Sequence, residues 1–142
     1  MTVLDASGQI MGRFASVVAK RLLRGEELHI VNAEKALVTG DRASLVKEYW
    51  TKTHMGSTAS RMRGKGPNYP RRADRILRRV IRGMLPYQTP HGRAAFKRLR
   101  VYIGVPPEVA SQTAEKVEGV SRVRTAKVLE LGEISRRLGA KQ

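Results

Sequence analysis

The sequence predicts an α/β domain built on a parallel sheet, and three features carry that expectation. Short apolar runs alternate with stretches of helical spacing through the first half of the chain, glycines and an aspartate stand at the junctions, and 142 residues make one domain, 1–142, with no linker-like stretch. Strands separated by helices are joined most simply in parallel, with the helices laid over the sheet.

"TVLDA" is a first strand, ended by Ser7 and Gly8. "GRFASVVAKRLLRG" follows as a helix with Phe14, Ala15, Val18, Ala19, Leu22 and Leu23 on one side and Gly25 as its stop. "LHIVNA" is a second strand and "ALVTG" a short extended piece, after which Asp41 is the expected N-cap of a helix over "RASLVKEYW". Thr51 to Pro70, with glycines, prolines and no apolar period, read as a long loop. A helix is expected over 71–84, a short one over "GRAAFKRL", and a buried strand over "RVYIGV", stopped by Pro106 and Pro107. Beyond Glu108 the pattern is ambiguous, with "LGEISRRLG" its most helical part.

Only 5% of the residues are aromatic against 41% hydrophobic, so the core is aliphatic. The absence of cysteine excludes disulfides, thiolate catalysis and most structural zinc sites. Neither a leader-like amino terminus nor an apolar run of membrane-spanning length is visible, which makes a cytoplasmic protein without a membrane partner the expectation.

Charge is the outlier. The 28 Lys and Arg against 12 Asp and Glu give +16, and thirteen of the basic residues but only one acid, Asp74, lie in residues 61–100. A net +12 in forty residues, on ends that are nearly neutral, marks a localised site for a polyanion.

The centre of that site is "RRADRILRRVIRGMLP" (71–86). Ala73, Ile76, Leu77, Val80, Ile81 and Met84 fall on one helical stripe, and Arg71, Arg75, Arg78 and Arg82 fall opposite, with Arg72 and Arg79 at the edges. Six arginine pairs three or four residues apart cost the helix roughly 1 to 3 kcal/mol, relieved only in part by Asp74, which is well placed for Arg78. Arg71 and Arg72 are expected in the first turn, where the helix dipole disfavours cations. A solvated face kept for solubility would mix Lys with Glu. All six here are Arg, whose planar fork holds phosphate oxygens in pairs.

The flanks extend the surface. Before the helix stand Arg61, Arg63 and Lys65, with Gly64 and Gly66 for close backbone approach and Tyr69 either to stack on a base or to anchor the loop. After it come Arg93, Lys97, Arg98 and Arg100. A loop, a helix face and a second short helix suit folded RNA better than a single DNA groove. A DNA-binding or chromatin protein is the first alternative and a nucleotide-dependent enzyme the second.

The enzyme reading has one foothold, the strand, turn and helix of "LDASGQIMGRFAS", a context for phosphate at a helix N-terminus. Gly8 and Gly12 do not complete a dinucleotide fingerprint, and Gly64-Lys65 does not complete a Walker loop, so the glycines of the first turn are assigned to turn geometry and helix packing. His29, His54 and His91 are far apart without ligand companions, so no metal and no other cofactor is expected. His29 is expected in a strand, and His54 and His91 in loops near the RNA surface. Asp5, Glu34 and Asp41 sit near strand ends, but no nucleophile, base and orienter come together.

Four segments, "LDASGQIMGRFASVVAKRLLRG", "IVNAEKALVTG", "KGPNYPRRADRILRRVIRGMLP" and "LRVYIGVPP", resemble in this order the universal large-subunit ribosomal protein number thirteen family. The GRxAS and RGMLP elements are the most specific of them. The short spacing from Gly25 to "VNAEK" resembles the archaeal and eukaryotic branch, and a carboxyl end without the long eukaryotic extension points to an archaeal-type member. The resemblance implies a three-layer α/β/α domain with a four-stranded parallel sheet and a long basic loop–helix excursion. It implies a protein bound to large-subunit rRNA beside neighbouring ribosomal proteins, important early in subunit assembly, without catalysis or small-molecule substrate. It makes Arg13 of GRxAS and the stretch Arg61 through Arg82 the RNA contacts. The bacterial HPH element after "VYxG" is replaced here by Val105, Pro106 and Pro107, so contacts at that corner do not transfer.

Overall fold

A computed structural model describes residues 1–55, 67–121 and 127–140. In chain order the elements are β1 (Thr2–Asp5), α1 (Met11–Leu23), β2 (Leu28–Val31), a 3-10 turn at Ala33–Lys35, β3 (Leu37–Thr39), α2 (Arg42–His54), α3 (Ala73–Gly83), α4 (Pro90–Lys97), β4 (Leu99–Val101), β5 (Val128–Glu130) and α5 (Leu131–Arg137).

The α/β expectation holds. β1, β2 and β4 pair in parallel, with Leu4 beside Ile30 and Leu28 beside Leu99. Where four strands were expected, the described residues form three plus a single parallel bridge from Leu4 to Glu115 on the free edge of β1. Its backbone bonds, Asp5 N to Glu115 O and Glu115 N to Val3 O, are both 2.9 Å. β3 and β5 form a separate antiparallel ribbon.

Side chains alternate across the sheet. Leu4, Leu28, Ile30 and Leu99 join the main core with Phe14, Val18 and Leu22 of α1, Leu77 and Ile81 of α3, and Leu131 and Ile134 of α5. Val3 and Val31 point the other way, against Val109 and half-buried Tyr102. Among the described residues that second face is covered by a loop segment, with no helix in its cluster.

The buried residues of α1 are Met11, Phe14, Ala15, Val18, Ala19 and Leu22, the expected stripe, while Leu23 is half-buried at its edge. Gly25 ends the helix with φ +100°, a conformation that side chains with a Cβ rarely adopt. α2 runs on to His54, so the expected loop does not begin at Thr51. "TKTH" contains no breaker, and the Thr53 hydroxyl donates to Trp50 O. Residues 56–66 of that loop lie outside the described residues. The strand expected over "RVYIGV" stops at Val101, and the chain bends through Gly104, which has φ +65°.

α4 starts at a built corner. The Thr89 hydroxyl accepts from Gly92 N at 3.2 Å and Pro90 occupies the first turn. A Cβ on Gly92 would overlap the Pro86 carbonyl, so only glycine lets α4 approach the end of RGMLP this closely.

Candidate nucleic-acid interface

α3 begins later than the pattern suggested. Arg72 is its N-cap position and Arg71 precedes it, so neither stands in the first turn. Ala73, Ile76, Leu77 and Ile81 are buried and Val80 is half-buried. Met84 is 42% exposed, because the helix has ended at Gly83 and the chain turns Leu85 inward instead. Asp74 pairs with Arg72, Nε to Oδ1 3.3 Å, rather than with Arg78. The like-charged rows along α3 therefore lack that relief.

Aromatic rings support the row. The Arg78 guanidinium lies 4.7 Å from the centre of the Phe96 ring, Arg79 lies 4.0 Å from Tyr69 and Arg82 lies 5.2 Å from Tyr87. Tyr87 meets Phe96 edge to face at 5.5 Å, which ties the RGMLP turn to α4 beneath the cations. Such contacts are worth about 0.5 to 1 kcal/mol each at exposed sites, enough to bias the orientation of the guanidinium groups. Arg79 also donates to Asn68 O and so fastens the 67–70 segment to the helix. Arg75, Arg78, Arg79 and Arg82, with Pro70 and Phe96, line a concavity of about 250 Å3. The Nε of Arg78 is itself buried and has no acceptor among the described residues, so the guanidinium meets the concavity through its other nitrogens.

Tyr69 is thus a loop anchor under Arg79, one of the two roles expected for it. Phe96 and Tyr87, absent from the expected site, are the other two supports. Their place beneath the arginines depends on how α4 folds back, which spacing along the chain does not reveal.

The remaining expected residues distribute as follows. Arg71, Arg72, Arg93 and Lys97 are exposed on and beside α3 and α4, and Arg13 is exposed in the first turn of α1. Arg98 is half-buried and its Nη2 donates to Leu22 O at 3.1 Å, closing the carboxyl end of α1. Arg100 is exposed in β4 opposite His29, so it lies on the sheet face away from Leu99 and the helices. Arg61, Arg63, Lys65, Gly64 and Gly66 lie outside the described residues.

The competing features have structural partners. Gly8 takes φ +70° and its N–H donates to Lys35 O, in keeping with a turn role, whereas Gly12 is exposed with no atom near its missing Cβ and serves no packing. The Asp5 carboxylate accepts from Ser7 N at 2.9 Å and Asn32 Nδ2 at 3.0 Å. Burial raises its pKa, but those bonds and Lys116 outweigh it and hold the group below its ordinary value. Glu34 accepts from Gly104 N at 3.0 Å. Asp41 is the N-cap of α2, with its carbonyl accepting from Leu45 N at 2.9 Å but no side-chain capping bond, and its pKa is lowered chiefly by Lys127, 3.3 Å away. His29 is in β2 as expected, but His54 ends α2, stacked on Trp50 at 4.1 Å, and His91 is in α4. No three metal-ligating side chains come together among the described residues, and none of their helices is long and apolar enough to cross a membrane.

The family described as ribosomal protein L13 matches residues 1–108 of this chain. Three proteins called large ribosomal subunit protein uL13 are similar to it almost from end to end. The one from Methanosarcina barkeri is 50% identical over 99% of both chains, and the one from Methanocaldococcus jannaschii is 49% identical over 99% of both. The third, from Thermoplasma acidophilum, is 42% identical over 98% of both.

Proposed function

This chain belongs to the ribosomal protein L13 family, and from that membership we propose that it is a non-enzymatic structural constituent of the large ribosomal subunit, of archaeal type, in the cytoplasm. Its partners are large-subunit rRNA and the ribosomal proteins beside it, and its binding supports early subunit assembly. The four-stranded, three-layer form of the fold belongs to the same reading, and the bridge at Glu115 beside β1 supports the fourth strand position.

The observation that carries the RNA contact is the ring-backed arginine row of α3, gathered around one concavity. Four cations held around one concavity repel each other until an anion enters, and Arg forks match phosphate oxygens. Arg75, Arg78, Arg79 and Arg82 are the centre of the contact, with Arg71, Arg72, Arg93 and Lys97 beside it. Arg13, Arg61, Arg63 and Lys65 extend it in the proposal and Arg100 makes a separate contact from the opposite sheet face, while Arg98 acts from inside the fold.

Sedimentation tests the assignment. In a moderate-salt gradient of native extract the protein is expected with large-subunit particles. A protein that ran free of them at every salt concentration where the particles stay whole would overturn the reading.

A further inference from the structure

A cleft of about 110 Å3 between α2 and α3 shares Pro70 and Arg79 with the arginine concavity. Tyr49, Lys52 and Thr53 come from α2, Ile76 and Val80 from α3, and Tyr69 and Pro70 from the segment that Arg79 fastens. Its surface is apolar and aromatic, yet its two tyrosine rings carry cations: Arg79 lies 4.0 Å from the centre of Tyr69 and Lys52 lies 5.6 Å from that of Tyr49. Burial, with a smaller push from Glu48, raises the Tyr49 pKa above the ordinary phenol value, so that ring stays neutral.

We infer that this cleft takes the base of one unstacked RNA nucleotide whose phosphate lies in the arginine concavity next to it. The inference rests on the RNA reading of α3 and adds a second subsite to it. Aromatic walls accept any base face, and an apolar floor of Ile76, Val80 and Pro70 removes the base from water. The occupant is argued from charge. Lys52 already pairs with Glu48, but among the described residues Arg79 has only the Asn68 carbonyl as acceptor; an uncharged apolar guest would leave it without an anion, whereas a nucleotide brings a flat π-surface and a phosphate together. The two recesses share Pro70 and Arg79, so Arg79 can hold the phosphate with one edge while its plane stays on Tyr69.

The test uses the full chain and a short single-stranded RNA carrying 2-aminopurine, whose fluorescence falls on stacking. Wild-type protein is expected to bind at low salt and quench the probe. Tyr69→Leu should lose the quench and weaken binding by about fivefold or more, the range of one base–aromatic stack, with the salt dependence unchanged. Thr53→Met, which fills the cleft from α2, should do the same without touching the loop. Arg75→Gln should instead keep the quench at saturation and flatten the slope of log affinity against log salt by about 0.7. Wild-type affinity and quench in both Tyr69→Leu and Thr53→Met would overturn the base slot while sparing the arginine face. Failure of wild-type protein to bind the RNA at all would overturn both.

Discussion

Replacing Arg75 with glutamine should stabilise the isolated protein and weaken its hold on RNA. Arg75 is the exposed member of the concavity and the one without a ring beneath it, so its removal costs little packing. Within α3 it faces Arg78 at i+3 and Arg79 at i+4, and as third residue of the helix it places a cation at the positive end of the dipole. Relief of two like-charged pairs and one unfavourable dipole contact comes to about 1 kcal/mol, and glutamine has nearly the same helix propensity as arginine. For a chain of this size the melting temperature should rise by roughly 3 °C. In a filter or polarisation assay with large-subunit rRNA, the slope of log affinity against log salt should fall by about 0.7 to 0.9, one phosphate contact. A lower melting temperature, or weaker binding with an unchanged slope, would refute the assignment of Arg75 to a strained face completed by phosphate.

Gly92→Ala should destabilise by roughly 1–3 kcal/mol, because the added methyl meets the Pro86 carbonyl rather than a side chain that can move; thermal melting reads it, and an unchanged midpoint would contradict the packing of α4 on RGMLP. Arg98→Gln should cost about 1 kcal/mol through the lost contact to Leu22 O, with the RNA salt slope unaltered. A slope that fell as for Arg75 would move Arg98 onto the RNA surface. Asp5 has a folded pKa below its unfolded value of 3.8, so its stabilisation is complete above about pH 4 and is lost as pH falls through the folded value. Acid titration of unfolding should therefore be shallower in Asp5→Asn, and a curve parallel to wild type would deny the carboxylate its hydrogen-bonded role between β1 and β2.

Long apolar periods were legible and short or distant pairings were not. α1 carries six buried residues at helical spacing and ends at a glycine with positive φ, so both its face and its stop could be read from the residues. β5 buries one side chain, Leu129, and so has no period to detect; only pairing with β3 makes it a strand. On α3 the buried stripe was readable as far as Ile81, but Met84 lies past the helix end, where the periodicity no longer holds.

The site divides in the same way. Its charge, its residue type and its helix could be read from composition and spacing. Its aromatic supports could not, since Arg78 meets a ring eighteen positions on, in a helix brought back by the Pro86–Gly92 corner. Two arginines that charge counting placed together separate for tertiary reasons: Arg98 turns inward to α1, and Arg100 follows the strand alternation to the far face.

The central claim, that the arginine row of α3 and its neighbours face RNA, is tested most directly by a protein–RNA cross-linking map of the assembled large subunit, read by mass spectrometry. Cross-links should concentrate in the peptides from Asn68 to Lys97, with Arg75, Tyr69 and Arg93 among the modified residues. A map with that stretch empty and the cross-links gathered on the nearly neutral ends of the chain would contradict it.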